Sequence, residues 1–156
     1  VAHTIKQGPS EGWFRRLLRR LGWIEAGPAH LRTGEWGEAQ AEAHLRAVGL
    51  TVLGRRVRVG RHDEIDLMAR EGDTLVFVEV KTRASEAHGR PGQAVDRSKR
   101  HILRRAALRY LQALSRPPRH YRFDLVEVVG DPEGGVRAVR HYPNALPITH
   151  PDRRPR

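Results

Sequence analysis

The chain has 156 residues, enough for one domain with a real core, and its 38% hydrophobic and 6% aromatic content suits a soluble protein with a modest interior. A formal net charge of +11 favours polyanionic partners, nucleic acid first and anionic membrane second. The lack of cysteine excludes disulfides, thiolate metal sites and cysteine nucleophiles, and no apolar run approaches the length of a membrane span.

Residues 1–33 read as a basic N-terminal extension. Within it Trp13, Phe14, Leu17, Leu18 and Leu21 follow helical spacing, with Arg15, Arg16, Arg19 and Arg20 on the other face. Such a short amphipathic helix docks on its own domain, on nucleic acid or on anionic lipid, so peripheral membrane contact through residues 13–21 is one expectation. Mitochondrial presequences share the pattern, but Glu11 and Glu25 argue against that reading. The N-terminus shows no continuous apolar stretch of signal-peptide type, and a cytoplasmic location is expected.

From Gly34 to Gly49 the Ala- and Glu-rich spacing predicts a helix capped by Gly49. Leu50 to Val59 reads as a strand with exposed arginines. HDEIDLMAREGDTLVFVEVKTR, residues 62–83, reads as a hairpin. SEAHGRPGQAV is a loop, marked by Gly89, Pro91 and Gly92. A long helix follows from about Asp96 to Leu114. Its expected buried stripe is Ile102, Leu103, Ala106, Ala107, Tyr110, Leu111 and Leu114, and Pro117 and Pro118 end it. Tyr121 to Val129 and Val136 to Tyr142 are further strands around a DPEGG turn, and residues 147–156 form a basic tail expected to be disordered. Helix, three strands, helix, two strands implies an α/β or α+β domain, residues 34–146, around a small mixed sheet.

The hairpin carries charge where apolar strands should be quiet. With Gly72-Asp73 as a two-residue turn, Glu71 lies opposite Thr74, Asp66 opposite Glu79, and Glu64 opposite Lys81. Simple alternation puts Glu64 and Asp66 on one face of their strand, Ile65 and Leu67 on the other. In the next strand Glu79 and Lys81 share a face with Phe77, opposite Val76, Val78 and Val80. Carboxylates facing each other across strands repel, and a cation between them removes the cost. Lys81 supplies part of that; a divalent metal supplies more, and oxygen-only ligands favour Mg²⁺ or Mn²⁺ over Zn²⁺. The competing reading is a solvated, salt-bridged sheet face.

Acid–Xn–Glu-x-Lys is the arrangement many nucleases use: two carboxylates hold a metal, and the lysine orients water or offsets transition-state charge. The basic balance then supplies phosphate contacts, with Arg55, Arg56, Arg58, Arg83, Lys99 and Arg100 as candidates on the flanking strand and helix. The excess of arginine has a second source in GC-rich coding; with Lys6, Lys81 and Lys99 the only lysines, the placement of Lys81 is the more informative.

GEWGEAQAEAHL, DEIDLMAREGDTLVFVEVKTR, AVDRSKR, RFDLVEV and HYPNAL, in this order over about residues 33–146, resemble the YraN-like family. The resemblance implies a fold like that of restriction endonucleases and Holliday-junction resolvases: a small mixed sheet flanked by helices. It implies that Asp66, Glu79 and Lys81 match the nuclease motif, with Glu64 and the helix residue Glu38 completing a metal shell. The family usually has glycine before Glu64, where this chain has Asp63, a fourth carboxylate expected near the hairpin site. Resolvase-like enzymes pair two sites across a dimer, which leaves a homodimer open here.

The expected activity is metal-dependent hydrolysis of DNA phosphodiester bonds, with branched or damaged DNA among the candidate substrates and DNA ahead of RNA. The alternative is a nucleic-acid-binding or assembly protein that uses a nuclease-like fold without turnover. Gln93, ahead of the long helix, is a weaker candidate for meeting a phosphate or the metal shell. Asp124, inside an apolar strand, reads as a structural hydrogen-bonding residue, and Asn144 as a turn residue. The nine histidines lack ligand spacing, and no Gly-rich loop ends in Gly-Lys-Ser or Gly-Lys-Thr, which argues against a P-loop nucleotidase.

Overall fold

A computed structural model describes residues 29–86 and 97–145. The expected basic helix at 13–21, the loop after Glu86 with Gln93, the side chain of Lys99 and the tail lie outside the described residues.

Helix α1 spans Ala29–Ala47 and begins earlier than the Gly34 start read from the sequence. Its end is the one Gly49 predicts. The Leu50 amide donates to Leu45 O at 2.9 Å and the Gly49 amide to Arg46 O at 3.1 Å, which closes the last turn in a Schellman arrangement. Strands β1 (Thr51–Val59), β2 (Asp63–Glu71) and β3 (Thr74–Arg83) follow as an antiparallel meander. The turn between β2 and β3 is Gly72-Asp73, with Glu71 opposite Thr74 and Gly72 at φ 54°, the left-handed conformation such a turn requires. Helix α2 (Arg97–Ala113) leads to β4 (His120–Asp131), which pairs with β3 in parallel from Thr74↔His120 to Arg83↔Val129. A parallel pair needs a long crossover, and α2 is that crossover. Strand β5 (Gly135–Tyr142) closes an antiparallel hairpin on β4, so the sheet is mixed and ordered β1-β2-β3-β4-β5.

Apolar side chains line both faces of this sheet. On one face Ala41 and Leu45 of α1 pack on Val52, Leu67, Ala69, Val76, Val78, Val126 and Val128. On the other Leu103, Ala106 and Ala107 of α2 pack on Val57, Ile65, Met68, Phe77, Phe123 and Leu125. The protein is therefore a three-layer α/β/α sandwich, the small mixed sheet flanked by helices that the sequence predicts. Phe77 has no exposed surface and stacks on Phe123 at 5.5 Å, and burial of one such side chain is worth about 1.5–3 kcal/mol. Ile102 departs from the expected stripe: it is 41% exposed, because α2 meets the sheet along Leu103, Ala106 and Ala107, with Tyr110 and Leu111 beside them. No helix among the described residues is long and apolar enough to cross a membrane.

Helix α1 approaches β3 more closely than side chains allow. A Cβ on Gly37 would lie 1.8 Å from Thr82 Oγ1. The next residue on that helix is Glu38, so this contact sets Glu38 against the end of the hairpin.

Candidate active site

The β2–β3 register holds as read from the turn through Leu67↔Val78, where the ladder ends. Asp66 and Glu79 come next along that line. In place of a further strand contact, the Val80 amide donates to Asp66 Oδ2 at 2.8 Å. The ladder therefore does not reach Glu64 and Lys81. Glu64 instead pairs across β1 with Arg58, their charged groups 4.0 Å apart.

The expected alternation in β2 also fails at Asp66. Ile65 belongs to the core under α2, whereas Leu67 belongs to the core under α1. The pairs Arg55↔Leu67 and Val57↔Ile65 keep one register, so no residue is inserted there. Between them sits Arg56 at φ 46°, a conformation uncommon for a non-glycine residue. Strands β1 and β2 thus turn over together at Arg56 and Asp66, which frees the Asp66 carboxylate to meet β3.

Four carboxylates act on one another at this point. Burial first, then the charge of Glu79, pushes Asp66 up to about 7; Glu38 and Glu64 add to the rise, and the Val80 N–H opposes it. Glu38, on α1, is buried, and that burial raises it against the lowering effect of Arg56. Arg56 donates from Nε to Glu38 Oε2 at 2.8 Å and from Nη1 to Glu35 Oε1 at 3.0 Å. Glu79 and Lys81, two residues apart on β3, are both partly exposed beside this cluster.

The donor chemistry suits a hard divalent cation, because crowded carboxylates gain from positive charge. Among the described residues, no group of three or more Asp, Glu or His side chains is arranged to hold a metal ion. The arrangement is thus no all-protein cage. Mg²⁺ does not need one: it is commonly held by one or two carboxylates plus water and substrate phosphate. Asp66 and Glu79 are the pair that fits that role, with Glu38 and Glu64 within electrostatic reach.

Other expectations shift. Asp63 is no part of the carboxylate cluster. Arg105 and Arg109 of α2 cover it, Arg105 donating to it from Nε at 3.0 Å and from Nη2, and Arg109 from Nη1 at 3.0 Å. Several arginines assigned to phosphate are engaged with carboxylates: Arg55 with Glu42, Arg56 with Glu35 and Glu38, and Arg83 with Glu127 at 3.2 Å. Arg58 and Arg100 are exposed.

Asp124 has the structural role expected. It is fully buried and accepts from Arg122 and from the Asn144 N–H at 3.0 Å, with His141 Nε2 at 2.8 Å. Burial alone would raise it, but these bonds hold it below the usual carboxylate range. Asn144, at φ 53°, is the turn residue anticipated. Glu127, buried between Arg83 and Arg140, was missed, although it interrupts the same apolar strand as Asp124 and carries the same signal.

Comparison with known proteins adds a family. The family model described as uncharacterised protein family UPF0102 matches residues 37–128, from inside α1 through most of β4. A UPF0102 protein of Symbiobacterium thermophilum is 47% identical over 106 residues, covering 68% of this chain and 89% of its own. A relative from Parafrankia is 44% identical over 115 residues, 74% of this chain and 96% of its own. One from Streptomyces coelicolor is 45% identical over 109 residues, 69% of this chain and 83% of its own.

Proposed function

The chain belongs to the uncharacterised protein family UPF0102, and from that membership and the hairpin geometry we propose that it is a metal-dependent nuclease of the cytoplasm with a restriction-endonuclease-like core. One observation carries the proposal. Asp66 leaves the strand ladder to take the Val80 N–H, beside Glu79 and within the field of Glu38 and Glu64, at a pKa of about 7. A merely solvated ionic face would not draw a carboxylate into a position that raises its pKa.

Asp66 and Glu79 would hold Mg²⁺ or Mn²⁺, with Glu38 and Glu64 as supporting anions. Bound there, the ion would supply Lewis acidity toward water and phosphoryl oxygens. Asp66, fixed by Val80, keeps its carboxylate in place without a large entropic cost. Lys81 shares the Glu79 face of β3 and is suited to offset charge that builds on the phosphate as water adds to phosphorus and the ester P–O bond breaks. DNA is the favoured substrate class, ahead of RNA.

The rival reading is a nucleic-acid-binding or assembly protein without turnover. It draws on the direct Arg56–Glu38 bond and on the lack of a three-ligand cage among the described residues. The deciding experiment is cleavage of labelled duplex, single-stranded, flap, four-way-junction and RNA substrates with Mg²⁺, Mn²⁺ or EDTA. Metal-dependent cleavage that Glu79→Ala and Lys81→Ala both abolish supports the nuclease. No cleavage, together with no heat of metal binding, overturns it in favour of the rival.

A further inference from the structure

Helix α2 carries a charge imbalance unlike that of the rest of the described chain. Its sequence, RSKRHILRRAALRYLQA, has six basic residues and no acidic one. Elsewhere several arginines have carboxylates close at hand: Arg46 and Arg55 share Glu42, Arg56 takes Glu35 and Glu38, and Arg122 takes Glu71 and Asp124. At α2 a single carboxylate, Asp63, serves both Arg105 and Arg109.

That shared carboxylate does more than neutralise. Asp63 is 2% exposed because the two guanidiniums lie over it. Arg105 spends Nε and Nη2 on it and Arg109 spends Nη1, while their side chains stay 42% and 53% exposed. Each guanidinium is therefore held by Asp63 through part of its donor set, with N–H groups left over for an outside acceptor. The two residues are one helical turn apart, about 6 Å between their Cβ atoms. The β1–β2 turn adjoins them: a Cβ on Gly60 would lie 3.5 Å from Arg109 Nη1, and Arg61 and His62 after it are exposed. Because the ordering of both side chains occurs on folding, an anion meeting them finds donors already oriented.

We propose that Arg105 and Arg109, held by Asp63 and flanked by Arg61, form a phosphate clamp for the backbone of duplex nucleic acid. The clamp moves the main phosphate contact from the β1 arginines, which carboxylates occupy, to the outer side of α2 and the β1–β2 turn. It rests on the nucleic-acid reading above only for the class of partner. A duplex backbone fits better than a lipid surface because forked donors at fixed spacing match discrete phosphates, whereas anionic lipid needs only diffuse charge.

The test is binding of a fluorescent 24-base-pair duplex in EDTA, without turnover, across a salt series. Wild type is compared with Arg109→Ala, with Asp63→Asn, and with Arg116→Ala, which removes an exposed arginine in the loop after α2. Arg109→Ala should weaken binding about tenfold and lower the salt slope by about 0.9, one phosphate contact. Arg116→Ala should do neither. Asp63→Asn separates the clamp from diffuse charge: it makes the protein more positive, so simple attraction predicts tighter binding, whereas loss of orientation predicts weaker binding. Tighter binding by Asp63→Asn, equal effects of Arg109→Ala and Arg116→Ala, or stronger binding to phosphatidylserine vesicles than to the duplex would overturn the proposal. Where a variant loses its helical circular dichroism, arginine Nε–Hε NMR of wild type decides: duplex must shift the Arg105 and Arg109 signals, and unmoved signals reject the clamp. Binding is read in EDTA and cleavage only with metal present, so failure of the nuclease reading and failure of the clamp give different results.

Discussion

Asp66 Oδ2 accepts the Val80 N–H at 2.8 Å, so a side chain takes the place a strand neighbour would hold in the ladder. The bond fixes a carboxylate in a crowded, largely dehydrated place, and it has a signature in the dependence of stability on pH. Asp66 titrates near 7 in the folded state against 3.8 as its ordinary value. The folded state therefore binds this proton more tightly than the unfolded state does. The stability it contributes is fully present below about pH 4 and is lost as pH rises to about 7. At 1.36 kcal/mol per pKa unit the loss is on the order of a few kcal/mol. Asp66→Asn keeps an acceptor for Val80 without the charge. It should raise the melting temperature at pH 8 and flatten the difference between pH 4 and 8. Equal pH dependence in the two proteins would show that Asp66 is not strained by its neighbours.

A cation should relieve the same strain. Mg²⁺ or Mn²⁺ added at pH 8 should raise the melting temperature of the wild type by mass action, about 2.7 kcal/mol at a hundredfold excess over Kd. Asp66→Asn and Glu79→Ala should respond much less. A similar rise in all three would place any bound ion elsewhere.

The contact between Gly37 and Thr82 predicts a coupled pair. A methyl group at residue 37 would collide with Thr82 Oγ1 and press on its Cβ at 3.0 Å and Cγ2 at 3.1 Å. Gly37→Ala should cost about 1–3 kcal/mol in denaturant unfolding, as overpacking does. Thr82→Ala removes two of the three contacts, so the double variant should be more stable than the sum of the singles predicts. Strict additivity would mean that α1 shifts off the sheet freely, and Glu38 with it.

Much of this arrangement was legible in the sequence. The Gly72-Asp73 turn and the valine run fix the hairpin register, since a one-residue slip would bury charge on both faces. Gly49 marks the end of α1 because a C-cap glycine has a local cause. What escaped depends on distant partners. The reversal at Asp66 follows from Arg56 at φ 46°, tied to Glu35 and Glu38 on α1, and no local pattern announces an arginine in that conformation. Arg55 and Arg58 of β1 are exposed as expected, yet Arg55 is not free for phosphate, because it reaches Glu42, thirteen residues earlier in the chain. Asp63 looks like part of the carboxylate cluster until α2 is placed beside it, forty-two residues from Asp63 to Arg105.

Asp124 offers the sharpest contrast with the strained hairpin. It is as buried as any side chain in the core, but every neighbour favours its charge: Arg122, His141 and the Asn144 N–H. Its pKa lies below the ordinary value, so its contribution is present above about pH 4 and is lost as pH falls through the folded value, opposite to Asp66. Asp124→Ala should cost about 3–5 kcal/mol, because it leaves a largely buried guanidinium with fewer partners and orphans a backbone donor. Asp124→Asn should cost less, since it keeps an acceptor. Urea unfolding at pH 7 gives both values, and duplex binding by the folded fraction should match wild type. A loss of below 1 kcal/mol for Asp124→Ala would mean that β5 and the Asn144 turn are held by packing alone.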